Sequence, residues 1–213
     1  MNRIAFQFVL AMLAVAIGGG PALHAADVYD APPQPTARDV IENVCQQVLA
    51  VLRDQTLNAD QKREKVRDIA YANINFDIMG RLSLGRFWRE ITDDQKTQYL
   101  HEFKQLITNT YGHITDNYTD EDVAILGDRQ EADGDDTVNT RITGTQDGKP
   151  NQEVAKVDYR LRNQDNQWKV IDFTIDNASI VANYRAQFQE IMSNGGIDQL
   201  LKLLHDKNAA NAK

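Results

Sequence analysis

Apolar residues recur along this chain at two spacings, and the change from one to the other divides it. Val40, Ile41, Val44, Cys45, Val48, Leu49 and Leu52 follow at intervals of three and four, which puts them on one face of a helix. Thr36 stands before them as an N-cap, with Asp39 in the first turn. A second helix is predicted from Asn58 to about Asn73, with Val66, Ile69, Ala70 and Asn73 on one side. Its other side carries Lys62, Arg63, Lys65 and Arg67 among Asp60, Glu64 and Asp68, charges that largely offset and read as a solvated face. Between Phe76 and Trp88 large apolar residues crowd together, but Gly80 and Gly85 interrupt them, so short bent helices are expected. Thr92 to Gln95 fits a capping box. It opens a long helix whose stripe is Tyr99, Phe103, Leu106, Ile107, Tyr111, Ile114 and Tyr118.

After Tyr118 the period becomes two. Val123–Leu126, Val138–Ile142, Ala155–Leu161 and Trp168–Ile175 read as four strands, separated by Asp133-Gly134, Asp147-Gly148 and the polar run Asn163 to Asn166. Ala155, Val157, Tyr159 and Leu161 alternate with Lys156, Asp158, Arg160 and Arg162, so one face is buried and the other wet. The helical period returns from Ser179 through Val181, Tyr184, Phe188, Ile191 and Met192. Gly195-Gly196 stops it, and Ile197, Leu200, Leu201 and Leu204 form a last helix. Helices, a meander of strands, then helices define an α+β fold, with helices against one face of a curved four-stranded antiparallel sheet. No internal repeat is visible.

The most hydrophobic stretch lies outside this pattern. Met1-Asn2-Arg3 supplies a positive charge, Ile4 to Ile17 is apolar except Gln7, and Ala22-Leu23-His24-Ala25-Ala26 ends in small residues. That is the layout of a secretion signal cleaved near Ala25, although Leu23 departs from the small residue favoured three places back. A permanent N-terminal anchor is the competing reading, but fourteen helical residues span about 21 Å against the ~30 Å hydrocarbon core. The expected organisation is a signal at 1–25, a Pro-rich leader at 26–35, one α+β domain at 36–207 and a polar tail at 208–213.

Charge and composition narrow the chemistry. The 213 residues carry 23 Lys or Arg and 31 Asp or Glu, a net charge of −8. Loss of residues 1–25 removes Arg3 and no acid, leaving 22 basic against 31 acidic residues, or −9. Such a balance opposes general affinity for nucleic acid or anionic headgroups. The single Cys45 makes neither an internal disulfide nor a multi-cysteine zinc site, and on an apolar stripe it reads as a buried, inert thiol. His101 and His113 are twelve apart, about 120° round a helix, and share no ligand face. Glu131, Asp133, Asp135 and Asp136 surround Gly134 without the spacing of a calcium loop. None of Ser83, Ser179 and Ser193 lies in a nucleophile elbow. Asp158 and Asp172 pair on neighbouring strands, but Asp158 faces water, where nothing splits the two pKa values. No catalytic or metal-binding set is expected, and no cofactor.

The order of several short runs carries more. Leu84-Gly85-Arg86-Phe87-Trp88, Thr92 through Gln95, Phe103 and Tyr111-Gly112 are followed by Val157-Asp158-Tyr159-Arg160-Leu161 and Trp168-Lys169-Val170-Ile171-Asp172-Phe173. Then come Ser179-Ile180-Val181, Asn183-Tyr184-Arg185, Phe188 and Gly195 through Leu200. Over about residues 38–205 this resembles the toluene-tolerance (MlaC) family of periplasmic phospholipid-binding proteins. One departure is visible: the family carries an acidic residue and Gly ahead of Ser179, where this chain has Asp176-Asn177-Ala178. Asn tolerates left-handed backbone, so the turn is expected to survive. The identity of the cargo is what the departure leaves open, since a related branch belongs to hopanoid-producing bacteria.

The resemblance implies helices and sheet enclosing an apolar cavity that takes phospholipid acyl chains. It further implies a periplasmic carrier shuttling lipid between outer and inner membranes to maintain outer-membrane asymmetry. Its partners would be an inner-membrane ABC-transporter complex and an outer-membrane lipoprotein–porin complex, and lipid would be cargo, not cofactor. The expected lining is Phe76, Met79, Leu82, Phe87, Phe103, Ile107 and Tyr111 from the helical half. Val157, Tyr159, Phe173, Ile175, Val181, Tyr184 and Phe188 complete it from the sheet and the helix after it. Ordinary core packing is the competing reading for each. Arg81, Arg86 and Arg185 are placed either at the cavity mouth near phosphate or in ion pairs with neighbouring acids. A polycyclic or isoprenoid lipid such as a hopanoid, a small-molecule enzyme with a conical cavity, and an adaptor that carries no lipid remain as alternatives.

Overall fold

The computed structural model describes residues 34–211. The proposed signal and most of the leader fall outside the described residues. Helix α1 (Ala37–Arg53) buries the stripe Ile41, Val44, Cys45, Val48, Leu49 and Leu52. Helix α2 (Ala59–Asn73) buries only Val66, Ile69 and Ala70. Helix α3 (Phe76–Leu84) passes into a 3-10 turn at Gly85–Arg89, and α4 (Asp93–Tyr111) into another at Gly112–Asn117. Three of these helices start with reciprocal capping boxes. In α4 the Gln95 amide donates to Thr92 Oγ1 at 3.2 Å and the Thr92 amide to Gln95 Oε1 at 3.0 Å. Thr36 with Asp39, and Asn58 with Gln61, do the same for α1 and α2.

The period-two segment forms strands β1 (Asp122–Gln130), β2 (Asp136–Gln146), β3 (Lys149–Gln164), β4 (Gln167–Ile175) and β5 (Ala178–Ser179), adjacent in that order and all antiparallel. Three tight turns have left-handed backbone at both central residues: Asp147-Gly148, Asp165-Asn166 and Asp176-Asn177. Asn177, at φ 69°, does adopt the left-handed backbone required of it. The strand that follows, β5, is an addition to the expected four: two residues are too short to show alternation, and Ser179 reads from sequence as helix start. Register shifts between Ile125 and Gly127, Ile142 and Thr143, Gly144 and Gln146, and Arg160 and Leu161 bend the sheet, which is open and curled.

Helix α5 (Ile180–Asn211) breaks at Gly196, whose φ of 69° and ψ of −170° are not helical. The long stripe expected through Tyr118 is shorter in fact, because α4 ends at Tyr111. Tyr118 lies beyond the 3-10 turn, where its hydroxyl accepts from Arg53 Nε at 3.0 Å. The polar tail expected from Asn208 remains helical to Asn211. Asn208 is buried, and its Nδ2 donates to the Glu102 carboxylate at 2.7 Å and to the Glu102 carbonyl at 2.9 Å.

Candidate functional site

The apolar face of the curled sheet meets the helices in one continuous layer. Helix α4 supplies its centre: Tyr99, Phe103, Leu106, Ile107 and Tyr111 lie at the intervals that stack side chains on one face. Gly80 of α3 lets α4 close in, since a Cβ there would stand 2.9 Å from Leu100 and 3.1 Å from Phe103. The Tyr99 hydroxyl donates to the Gly80 carbonyl at 3.0 Å, so that buried hydroxyl has a partner. The rings form a connected set. Phe103 lies 5.8 Å from Tyr99, 5.9 Å from Tyr184 and 6.2 Å from Phe188, the last two edge-on. Tyr111 stands edge-on to Phe173 of β4 at 5.8 Å, which joins the helical rings to the sheet.

Of the fourteen residues expected to line a cavity, thirteen are buried in this layer, and Leu82 is partly buried against it. They fall into two neighbourhoods. Phe103, Tyr184 and Phe188 meet between α4 and α5. Phe76, Tyr111, Val157, Phe173 and Ile175 belong to the floor between helices and sheet, with Val157 opposite Ile175 in the ladder. Tyr159 is opposite Phe173 and extends the floor toward Cys45 of α1. Tyr99, Val44, Cys45 and Leu161 also belong to the layer without having been singled out. Their stripes were legible, but pattern alone does not separate one wall of a core from another.

The layer is electrically quiet. Burial pushes the hydroxyls of Tyr99, Tyr111, Tyr159 and Tyr184 upward in pKa, and the Cys45 thiol up to about 12, so none ionises at neutral pH. Asp172 sits at the layer's edge. Burial raises its pKa, against hydrogen bonds from Ser179 Oγ at 2.6 Å and the Val181 amide at 3.0 Å. Those bonds tie β4 to the start of α5, a structural duty in place of the acid–base pairing considered with Asp158. Among the described residues, no group of three or more His, Cys, Asp or Glu is gathered for a metal, and no helix is long and apolar enough to cross a membrane.

Two of the three arginines make contacts within the fold. Arg185 Nε donates to the Leu82 carbonyl at 2.7 Å, and the Arg86 guanidinium lies over the Phe87 ring at 4.8 Å. Arg63 and Arg67 of α2 line a small cavity of about 20 Å³ with Val66, Ala70, Tyr71, Thr108, Tyr111 and Gly112. Lys104 Nζ lies 3.8 Å from the centre of the Tyr71 ring beside it. Nothing in the sequence marks this seam, because α2 and α4 meet only through the fold.

Residues 42–206 match the family model described as MlaC protein. Among curated relatives, the intermembrane phospholipid transport system binding protein MlaC of Haemophilus influenzae is 22% identical over 139 residues, 65% of this chain and 64% of that protein. The toluene tolerance protein Ttg2D of Pseudomonas putida is 24% identical over 113 residues, 53% of this chain and 50% of that protein. The matched stretches thus span less than two thirds of these relatives' own lengths. Among solved structures, a phospholipid-binding protein from Ralstonia solanacearum in complex with a phospholipid superimposes with a TM-score of 0.65 at 28% identity, covering 78% of this chain and 92% of that one.

Proposed function

The chain belongs to the MlaC family, and from that premise we propose that it is a periplasmic carrier of phospholipid. It takes acyl chains between helices and sheet and moves lipid between outer and inner membranes to maintain outer-membrane asymmetry. In this reading residues 1–25 direct export, 26–35 form a leader, and 36–207 are the lipid-binding unit. An inner-membrane ABC-transporter complex and an outer-membrane lipoprotein–porin complex are its partners. The observation that carries the reading is the likeness to a chain solved with phospholipid, which extends over 92% of that chain. The uncharged apolar layer supports it. Burying one methylene gains roughly 0.8 kcal/mol, so about 30 chain methylenes amount to on the order of 25 kcal/mol against water. A bilayer offers a similar amount, so a carrier has only to match it with apolar walls and can leave the headgroup outside. The family is one of lipid-binding transport proteins, and the layer holds no reagent that would favour the enzyme reading.

The lining is proposed to be Phe76, Met79, Leu82, Phe87, Phe103, Ile107 and Tyr111 with Val157, Tyr159, Phe173, Ile175, Val181, Tyr184 and Phe188. The rings of Tyr99, Phe103, Tyr184 and Phe188 lie against one another with centres 5.4–6.2 Å apart, so acyl chains that enter between them must part these side chains. The test is extraction of the mature protein, purified from the periplasm, with organic solvent and mass spectrometry of the extract. Stoichiometric diacyl phospholipid is expected; a consistently lipid-free protein would sink the reading, and a polycyclic lipid would replace the cargo. Ile107→Glu or Val157→Glu is expected to abolish co-purifying lipid, with Ile107→Thr as the milder change should the charge prevent folding.

A further inference from the structure

Helix α2 is attached differently at its two ends. Its C-terminal end is pinned to the sheet. Ile74 bridges to Val170, the Asn75 amide donates to the Val170 carbonyl at 2.9 Å, and Lys169 Nζ donates to the Ala72 carbonyl at 2.6 Å. Its N-terminal end follows the connection 54–58 and is held by polar groups. Lys62 Nζ donates to the Leu52 carbonyl, and Arg63 pairs with Asp60 of its own helix and with Asp116 in the 3-10 turn after α4. The middle of the helix contributes three buried apolar residues, Val66, Ile69 and Ala70. Under it lies the small cavity walled by Tyr111 and Thr108, and the Tyr71 ring stands edge-on to Phe76 at 5.7 Å. A swing of α2 about Ile74 would therefore carry Arg63, Val66 and Arg67 away from Tyr111 and uncover that residue of the proposed lining.

We propose that α2 is a hinged door over the acyl-chain layer, pinned at Ile74–Asn75 and latched shut by the Arg63–Asp116 ion pair. The inference rests on the carrier reading above and names the place where lipid enters and leaves. A door needs a small apolar face, so that opening exposes little to water, and a latch that water can replace. Arg63 and Asp116 are 38% and 33% exposed, which suits a contact that is made and broken.

The experiment loads the protein with pyrene-labelled phosphatidylglycerol and follows transfer to vesicles of phosphatidylethanolamine and phosphatidylglycerol. Arg63→Met is expected to speed transfer about two- to five-fold, the range that exposed ion pairs are worth. The charge-swapped pair Arg63→Asp with Asp116→Arg is expected to return it to the parental rate; transfer that stays fast would overturn the latch. A short bis-maleimide joining Arg63→Cys to Asp116→Cys is expected to slow transfer more than about ten-fold relative to the same protein unjoined. Cys45 does not compete, since it is buried with its thiol pushed up to about 12. A joined protein that transfers at the unjoined rate overturns the door while leaving the carrier reading standing. A chain that takes up no phospholipid at all refutes both.

Discussion

Helices α4 and α2 meet along one seam, yet they are held by different means. Helix α4 buries three large rings and two branched aliphatics, and α3 approaches it so closely that a Cβ at Gly80 would stand 2.9 Å from Leu100. Helix α2 buries one Val, one Ile and one Ala and sets Tyr71 edge-on to Phe76, and its other contacts include polar ones: Arg63 to Asp116, Lys62 to a carbonyl, and Lys104 lying over Tyr71. Interlocked rings lose many contacts for a small displacement, because packing energy falls steeply with separation. Exposed ion pairs exchange their partners for water at little cost. The difference separates a frame from a moving part within one layer.

The largest test of the comparison truncates the frame. Phe103→Ala is expected to cost about 3–5 kcal/mol in urea unfolding, as large rings in filled cores do. Ile69→Ala on α2 is expected near the lower end of its class, about 2 kcal/mol, because its helix carries so thin an apolar face. Equal losses would erase the contrast.

Not every polar contact is weak, and the outer face of the sheet supplies the counter-example. Asp135 is 1% exposed, and it accepts from Arg162 Nε at 2.6 Å and Arg160 Nε at 2.8 Å. Burial would raise its pKa, but the two guanidiniums outweigh burial and hold it below the usual carboxylate range. The folded state therefore binds fewer protons than the unfolded chain near that range. The stabilisation is full above the unfolded value of about 3.9 and is lost as pH falls through the lower folded value. Asp135→Asn is expected to cost about 2 kcal/mol at pH 7. It should also flatten the acid side of the stability curve, which urea midpoints from pH 7 down to 3 would show. A variant with the parental acid limb would place this pair with the exposed ones.

A smaller effect sharpens the contrast by position. Thr92→Ala and Asn58→Ala each remove a helix cap worth about 1 kcal/mol. The loss at Thr92 is expected in global unfolding, because α4 unfolds only with the core. The loss at Asn58 is expected in global unfolding and, in addition, in hydrogen exchange of α2 amides through their own opening, because α2 opens first.

What sequence reveals divides along the same line. The stripes of α1, α4 and α5, the alternation of β3, the Thr36 N-cap and the Thr92 capping box are local patterns, and each is legible because its period or spacing is set by backbone geometry. The resemblance to a lipid-carrier family rests on the order of such runs from Leu84 to Leu200. The pairing of Arg63 with Asp116, fifty-three residues apart, has no local signature, and from sequence Arg63 belongs to a solvated face. Asn208 was equally opaque: a polar residue near a polar end, buried because Glu102 offers it two acceptors. The end of α4 at Tyr111 was missed because the apolar spacing continues to Tyr118 while the backbone tightens to a 3-10 turn.

The smallest change bears most directly on the moving part. Arg63→Met removes an exposed pair and keeps the aliphatic stem, so the unfolding free energy from urea is expected to fall by no more than about 1 kcal/mol. Opening of α2 alone is a different equilibrium, because only its own contacts count against it. The same loss is then expected to raise exchange of α2 amides about two- to five-fold and to leave those of α4 at the rate of global unfolding. If α2 amides exchange no faster than those of α4, α2 is part of the frame and the layer opens elsewhere. If α2 exchanges through an opening of its own that the Arg63→Met change makes easier, a contact worth little in global stability governs access to the apolar layer, and the weakness of the Arg63–Asp116 pair is the property that access requires.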